Sequence, residues 1–318
     1  PDPSRAVCER VGILIVASYN STSSLRPIRD RIPIYIHAGP HIIHPHLFFE
    51  TLAYVTAFGV YLALRRRFKD PIATPLRWAA IAAAVAGAAI GSRLLFWLED
   101  PQLTWHNLHN PAYLAGGKTI VGALAFGLFT VELTKRYIGL RQSTGDLYAI
   151  PLALGIAIGR IGCFLTGLSD NTYGTPTNLP WAVNFGDGIP RHPTQLYEIV
   201  FLLLLIPILS RVLKRISIEN RHTRNVILSG AVTQRSEVTA QSKDPYPRSE
   251  SAPHPGDAFK FFMVAYLSFR LLCDFLKPYP RIFLGLGGIQ WACVLILLYY
   301  SPDIARWLRL SLPEKQPA

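Results

Sequence analysis

Ionisable side chains occur at four places in sequence otherwise too apolar to hold charge. Arg160 lies deep in GIAIGRIGCF, and Arg270 lies in YLSFRLLCDF with Asp274 four residues on. Arg93 closes a run of small residues, and Glu50 follows HIIHPHLFF. Charge in such surroundings is costly, so its default reading is functional. Arg160 has no acid within a turn in sequence and needs a partner from elsewhere. A lipid phosphate suits it, because guanidinium grips phosphate through paired, charge-assisted hydrogen bonds. Arg270 and Asp274 share one helix face and either neutralise each other or face a ligand. Arg93 reads as a side chain snorkelling to the outer surface. Glu50 reads as a solvated helix end, or as a base whose proton affinity burial would raise. His44 and His46 flank a proline with no further ligand signature and read as interfacial histidines, not a metal site. Cys163 reads as a small packing residue before it reads as a nucleophile.

Holding such groups requires helices in lipid. Charged residues are 16% of the 318 and hydrophobic residues 50%, a balance that argues against a soluble enzyme or a coiled coil. The net charge of +12 would suit nucleic acid only if the basic residues shared a polar face. They gather instead at the ends of apolar runs, so the expected partner is a membrane, with no nucleic acid. Cys8, Cys163, Cys273 and Cys293 form no CxxC, which speaks against a disulfide framework or zinc site. Seven stretches have the length and apolar character of a span, roughly 47–64, 77–98, 119–138, 146–166, 195–213, 258–276 and 287–305. Lys and Arg cluster at 65–77, 135–141, 211–224 and 306–315. With seven spans these clusters share one side, which is then cytoplasmic. The expected fold is an all-α integral membrane protein of about seven transmembrane helices, N-terminus outside and C-terminus cytoplasmic.

The rest of the chain follows from this frame. Residues 1–44 read as an extracytoplasmic segment whose apolar run Val11–Ala17 is too short to span, and residues 45–310 as the transmembrane domain. The outer loop 167–194 is rich in turn formers but carries Tyr173, Trp181 and Phe185, so it reads as ordered. Residues 216–257 are polar without apolar period and read as a disordered cytoplasmic linker. The pairs Gly87/Gly91 and Gly155/Gly159 read as close helix packing. There is no internal repeat.

Several segments carry a resemblance. Gly159-Arg160-Ile161-Gly162-Cys163-Phe164, Tyr173-Gly174-Thr175-Pro176, Pro180-Trp181-Ala182 and Arg191-His192-Pro193-Thr194-Gln195-Leu196-Tyr197-Glu198 resemble the signature of the prolipoprotein diacylglyceryl transferase family. Tyr266, Arg270, Asp274 and Lys277 are similar to its sixth-helix stretch, and Gly287-Gly288-Ile289-Gln290 to its final glycine-glutamine segment. The similarity runs from about residue 45 to 300. It implies an enzyme of the bacterial inner membrane in lipoprotein biosynthesis. Such an enzyme moves a diacylglyceryl group from phosphatidylglycerol to the lipobox cysteine of a prolipoprotein signal peptide, with no cofactor or metal. The resemblance makes Arg160 and Arg270 the phosphate clamp, with Arg191 and His192 in the outer loop that shapes the site. Cys163, Gly174, Tyr266, Asp274 and Gln290 fall on supporting motif positions.

The chain departs from the pattern where the thiol would be activated. The family's essential histidine falls on Val121, and its two asparagines fall on Cys163 and Thr166. Its loop acid has Asp170 as the nearest counterpart, and Glu50 falls on a first-span tyrosine. Replacement bases are therefore Glu50, Asp170 or His192. The changes also leave open a paralogue with the same lipid donor and another acceptor, or a non-catalytic binder of anionic lipid.

Overall fold

The structure is a computed structural model and describes residues 34–38, 41–70, 72–233 and 253–311. A short hairpin, β1 (Ile36–Ala38) with β2 (His41–Ile43), leads into helix α1 (Pro45–Arg67). Then come α2 (Thr74–Glu99), the short α3 (Pro101–His106) and α4 (Pro111–Gly116), α5 (Ile120–Tyr137) and α6 (Asp146–Thr166). A 3-10 turn, Gly167–Asp170, opens the loop that carries β3 (Val183–Asn184) and β4 (Pro190–Arg191). Helices α7 (Thr194–Thr233), α8 (Asp257–Cys273), α9 (Gly288–Tyr299) and α10 (Ser301–Ser311) complete the described chain.

Helix starts follow local chemistry. Proline opens α1, where a missing N–H costs nothing. Asp100 accepts from Leu103 N at 2.9 Å to begin α3, and Asn110 and Thr119 do the same for α4 and α5. Asp146 works at a distance: its carboxylate accepts from the backbone N–H groups of Gly256 (2.6 Å) and Ala258 (3.0 Å), tying the start of α6 to the start of α8. Arg77, counted in sequence among the solvated cytoplasmic charges, is instead buried. It binds Asp70 (Nε to Oδ2 2.7 Å) and donates to Thr144 O at 2.7 Å.

A helix occupies each of the seven expected spans, and several of these helices are long and apolar enough to cross a membrane. By length and composition four qualify, Pro45–Arg67, Thr74–Glu99, Asp146–Asp170 and Thr194–Glu219, with a fifth if α9 and α10, bent by 57°, act as one span. Helix α5 ends in Glu132, Lys135 and Arg136, and α8 stops after 17 residues where Asp274 begins a 3-10 turn. The linker reading is also corrected in part. Helix α7 runs on to Thr233, because extending an existing helix costs far less than nucleating one, even for a polar sequence. Residues 234–252 and Val11–Ala17 lie outside the described residues.

Glycines set the helix pairs. A Cβ on Gly91 would lie 2.5 Å from Gly122 O and 2.3 Å from Phe126 Cβ, so α2 and α5 meet backbone to backbone. Gly162 sits equally tight on the first turn of α1, against Phe49 and His46, whereas Gly159 of the second pair has nothing near it. Helices α6, α7 and α8 enclose the core, where Ala153, Leu202, Leu209, Phe262, Met263 and Leu267 have essentially no exposed surface. Gly91→Val is expected to force α2 and α5 apart, a change in the 1–3 kcal/mol range of overpacking. A fall in thermal midpoint in detergent, by intrinsic fluorescence, checks it; an unchanged midpoint rejects the close contact.

Candidate active site

One end of the core holds a ladder of buried charges. Arg160 leaves the penultimate turn of α6, and Glu198 leaves the first turns of α7. Tyr266, Arg270 and Asp274 descend one face of α8 at four-residue steps. Arg160 and Arg270 converge, as the resemblance implied, but the group between them is a carboxylate. Arg160 Nε lies 2.8 Å and Arg270 Nη1 3.1 Å from Glu198 Oε2, and Tyr266 donates its hydroxyl to Oε1 at 2.6 Å. Arg270 Nη2 reaches Asp274 Oδ1 at 3.0 Å, and Lys277 Nζ lies 3.4 Å from the same oxygen. Arg270 and Asp274 neutralise each other, and Arg270 also faces Glu198. Every member is buried, from Arg160 at 6% exposure to Tyr266 at 0%. At such depth charges persist only when paired.

The buried cations and acids come close to balancing. Arg160, Arg270 and Lys277 face Glu198 and Asp274, and Glu99 lines the same small pocket as Asp274 and Tyr279. The contact of Arg160 Nε with Glu198 is close, but its N–H does not point at the oxygen. The ε N–H groups of Arg160 and Arg270 both lack a hydrogen-bond acceptor among the described residues. Unsatisfied buried donors are rare in proteins and mark places where a further acceptor belongs.

A second cluster adjoins Arg160. Cys163 Sγ lies 3.7 Å from Arg160 Nη1 and 4.0 Å from Nδ1 of His46, at the start of α1. The same Nδ1 is 2.9 Å from Asp170 Oδ1. Asn171, in the left-handed region at φ +53°, turns the chain so that Asp170 faces back toward α1, and Thr172 Oγ1 donates to Asp170 Oδ2 at 2.6 Å. The ligand atoms of His46, Cys163 and Asp170 lie within 4.8 Å of one another, close enough for a metal. The guanidinium already set against the same sulfur opposes a second cation there.

The other expected site residues are dispersed. Arg191 does not join the arginine pair: its Nη1 is bound to Asp187 Oδ1 at 2.6 Å and its guanidinium lies 5.1 Å above the Tyr173 ring. That hydrogen bond holds the half-exposed Asp187 carboxyl below its usual range. His192 Nδ1 meets Tyr197 Oη at 3.2 Å, and Trp181 Nε1 donates to that oxygen at 2.8 Å. Gly174 passes so close to His192 that a Cβ would lie 2.8 Å from His192 O, which keeps side chains out of the loop's narrowest crossing. Gln290 is buried and accepts from Arg281 and from Gly287 N, at 3.0 Å for the latter. It ties the start of α9 and touches neither arginine. Glu50 was expected to be either a solvated helix end or a desolvated base. It is paired instead with Lys118 Nζ at 3.0 Å and accepts from Tyr54 Oη at 2.8 Å, so its partners stabilise the charged form. Val121 is buried in the core at 1% exposure and brings no polar group.

Sequence reasoning passed over Glu198, His46 and Lys277 as site residues. Glu198 was visible as the last residue of RHPTQLYE and as the acid Arg160 lacked. The pairing of His46 with a loop residue 124 positions later had no local signal. An open depression of about 410 Å³ lies at the opposite end of α1 beside Leu62, Arg65, Arg66, Lys69 and Asp70, and holds none of these groups.

Comparison with known proteins finds relatives of one name. The phosphatidylglycerol–prolipoprotein diacylglyceryl transferase of Polynucleobacter asymbioticus is 28% identical over 295 residues, covering 84% of this chain and 92% of its own. The protein of that name from Methylococcus capsulatus is 33% identical over 193 residues, 55% of this chain and 68% of its own. For its counterpart in Bordetella bronchiseptica the figures are 35% over 182 residues, 52% of this chain and 65% of its own length, just under two thirds. The family profile described as prolipoprotein diacylglyceryl transferase matches residues 33–233, more than half the sequence and inclusive of His46, Arg160, Asp170 and Glu198; the chain belongs to the prolipoprotein diacylglyceryl transferase family.

Proposed function

We propose that this protein transfers a diacylglyceryl group from phosphatidylglycerol to the lipobox cysteine thiol of a prolipoprotein signal peptide. It acts as a multi-pass protein of the bacterial inner membrane, with seven spans, the N-terminus outside and the C-terminus cytoplasmic. The four Lys/Arg clusters favour that orientation. The observation that carries the activity is the pair of buried, unsatisfied ε N–H groups on Arg160 and Arg270, which converge on one another around Glu198. A phosphodiester bears one negative charge and has oxygens to accept both. As the thiolate attacks the glyceryl carbon, the carbon–oxygen bond breaks and the leaving phosphate gains a second charge. Fixed guanidinium groups stabilise that charge more strongly than the ground state, which is the condition for catalysis.

A second reading keeps the donor and changes the acceptor; Val121, Cys163 and Thr166 favour it, because they alter the half of the pattern that meets the thiol. Proteoliposomes of phosphatidylglycerol labelled in its head-group glycerol, given a lipobox peptide, are expected to release labelled glycerol phosphate and add a diacylglyceryl mass to the peptide. Release without peptide modification selects the second reading. Retention of labelled lipid without release rejects both and leaves a binder.

A further inference from the structure

A thiol at neutral pH is mostly protonated, so a transfer that begins with a thiolate needs a base within reach of the phosphate site. Glu50 is engaged by Lys118 and Tyr54, and His192 points its Nδ1 at Tyr197. His46 differs from His192 in having a carboxylate on Nδ1 and in standing next to Arg160 across Cys163. Its Nδ1 is held by Asp170 at 2.9 Å, while its Nε2 has no hydrogen-bond partner among the described residues; the nearest acidic oxygen, Glu50 Oε2, lies 3.7 Å away. The side chain is 38% exposed. Cys163 Sγ stands between this ring and Arg160, 4.0 Å from one and 3.7 Å from the other.

Resting on the transferase reading above, we infer that His46, oriented by Asp170, is the base that deprotonates the acceptor thiol, replacing the histidine absent at Val121. In the neutral ring Asp170 accepts from Nδ1–H and the lone pair sits on Nε2, and Thr172 holds Asp170 in place. Nε2 takes the thiol proton, and the thiolate attacks the glyceryl carbon. The carbon–oxygen bond to phosphate breaks with its electron pair on oxygen, and the imidazolium then returns the proton to the glycerol phosphate formed. Cys163 is no nucleophile in this scheme: it faces Nδ1, the nitrogen already committed to Asp170. The charged or titratable groups around the ring are Asp170, Cys163 and Arg160 on one side and His44, Glu50 and Lys118 on the other.

The full-length protein in phosphatidylglycerol proteoliposomes with a lipobox peptide provides the test. His46→Ala is expected to lower kcat about 100-fold or more, within the range for general-base catalysis, with KM little changed. The deficit should shrink as pH rises toward about 8.5, where the peptide thiol ionises unaided. Added imidazole should restore part of the rate. Asp170→Asn should lower kcat with the same pH signature, and His46→Gln serves if the alanine variant fails to fold. A folded variant with wild-type kcat overturns the inference, as does a deficit that is constant with pH and unmoved by imidazole. Stoichiometric zinc in the purified protein, with activity lost to a chelator, also overturns it. If the wild-type protein itself releases no glycerol phosphate, it is the transferase reading that fails.

Discussion

Arg160→Lys is expected to lower glycerol phosphate release by about 10²- to 10³-fold, the usual effect of losing one fixed donor to a developing oxyanion, while the protein stays folded. Lysine keeps the positive charge that Glu198 requires, so the ladder remains paired. What lysine cannot do is satisfy Glu198 and present a second, rigidly placed N–H to another acceptor. Guanidinium offers five donors in a fixed plane, whereas an ammonium on a flexible stem is a single point charge. In this site that distinction has a location: Arg160 Nε is directed away from the Glu198 oxygen it touches, and Nη1 is turned toward Cys163. The loss should appear in kcat more than in lipid retention, because the second negative charge on phosphate exists only as the bond breaks. The head-group release assay reads the first quantity, and co-purified phosphatidylglycerol by mass spectrometry reads the second. Activity within threefold of wild type would remove Arg160 from the phosphate site.

The legible and illegible parts of this site divide along physical lines. Tyr266, Arg270 and Asp274 fall at a spacing of four, so one helix face was readable from sequence alone. Arg160 announced itself by being a charge without a local partner. The partner, Glu198, is 38 residues away on another helix, and only the packing of α6 against α7 brings the two together. His46 met Asp170 through a turn set by the backbone of Asn171, a contact with no pattern in sequence. Arg191 misled because its motif neighbours do sit in the site. A two-residue strand and an acid four positions earlier turn its own side chain to the loop surface. The helices themselves were legible because apolar length alone demands them. Their ends were not: α7 passes well beyond its apolar run, and α8 breaks short where Asp274 folds back onto Arg270.

Glu198→Ala is the substitution expected to cost the most stability. Its carboxylate is 1% exposed and serves two guanidinium groups and one phenol at once. Removing it strands Arg160 against apolar side chains, leaves Arg270 with Asp274 alone, and takes the acceptor from Tyr266. Breaking a buried pair by deleting one partner costs about 3–5 kcal/mol, because the remaining charge stays in a medium that cannot solvate it. A loss of that size is about a 4–8 °C fall in thermal midpoint for a chain of this length. Size-exclusion profiles in detergent should show aggregated material. Glu198→Gln separates charge from shape: its carbonyl still accepts from Tyr266, so the fold should be less disturbed, but the ladder gains one unit of uncompensated positive charge. Anionic lipid then binds more tightly, and the dianionic product most tightly of all, so turnover slows at the release step. The expected record is a burst of about one glycerol phosphate per protein followed by a slow phase. An alanine variant that melts like wild type would mean that the arginines do not depend on this carboxylate. A glutamine variant with wild-type turnover would mean that the charge on residue 198 does not govern how the site holds phosphate.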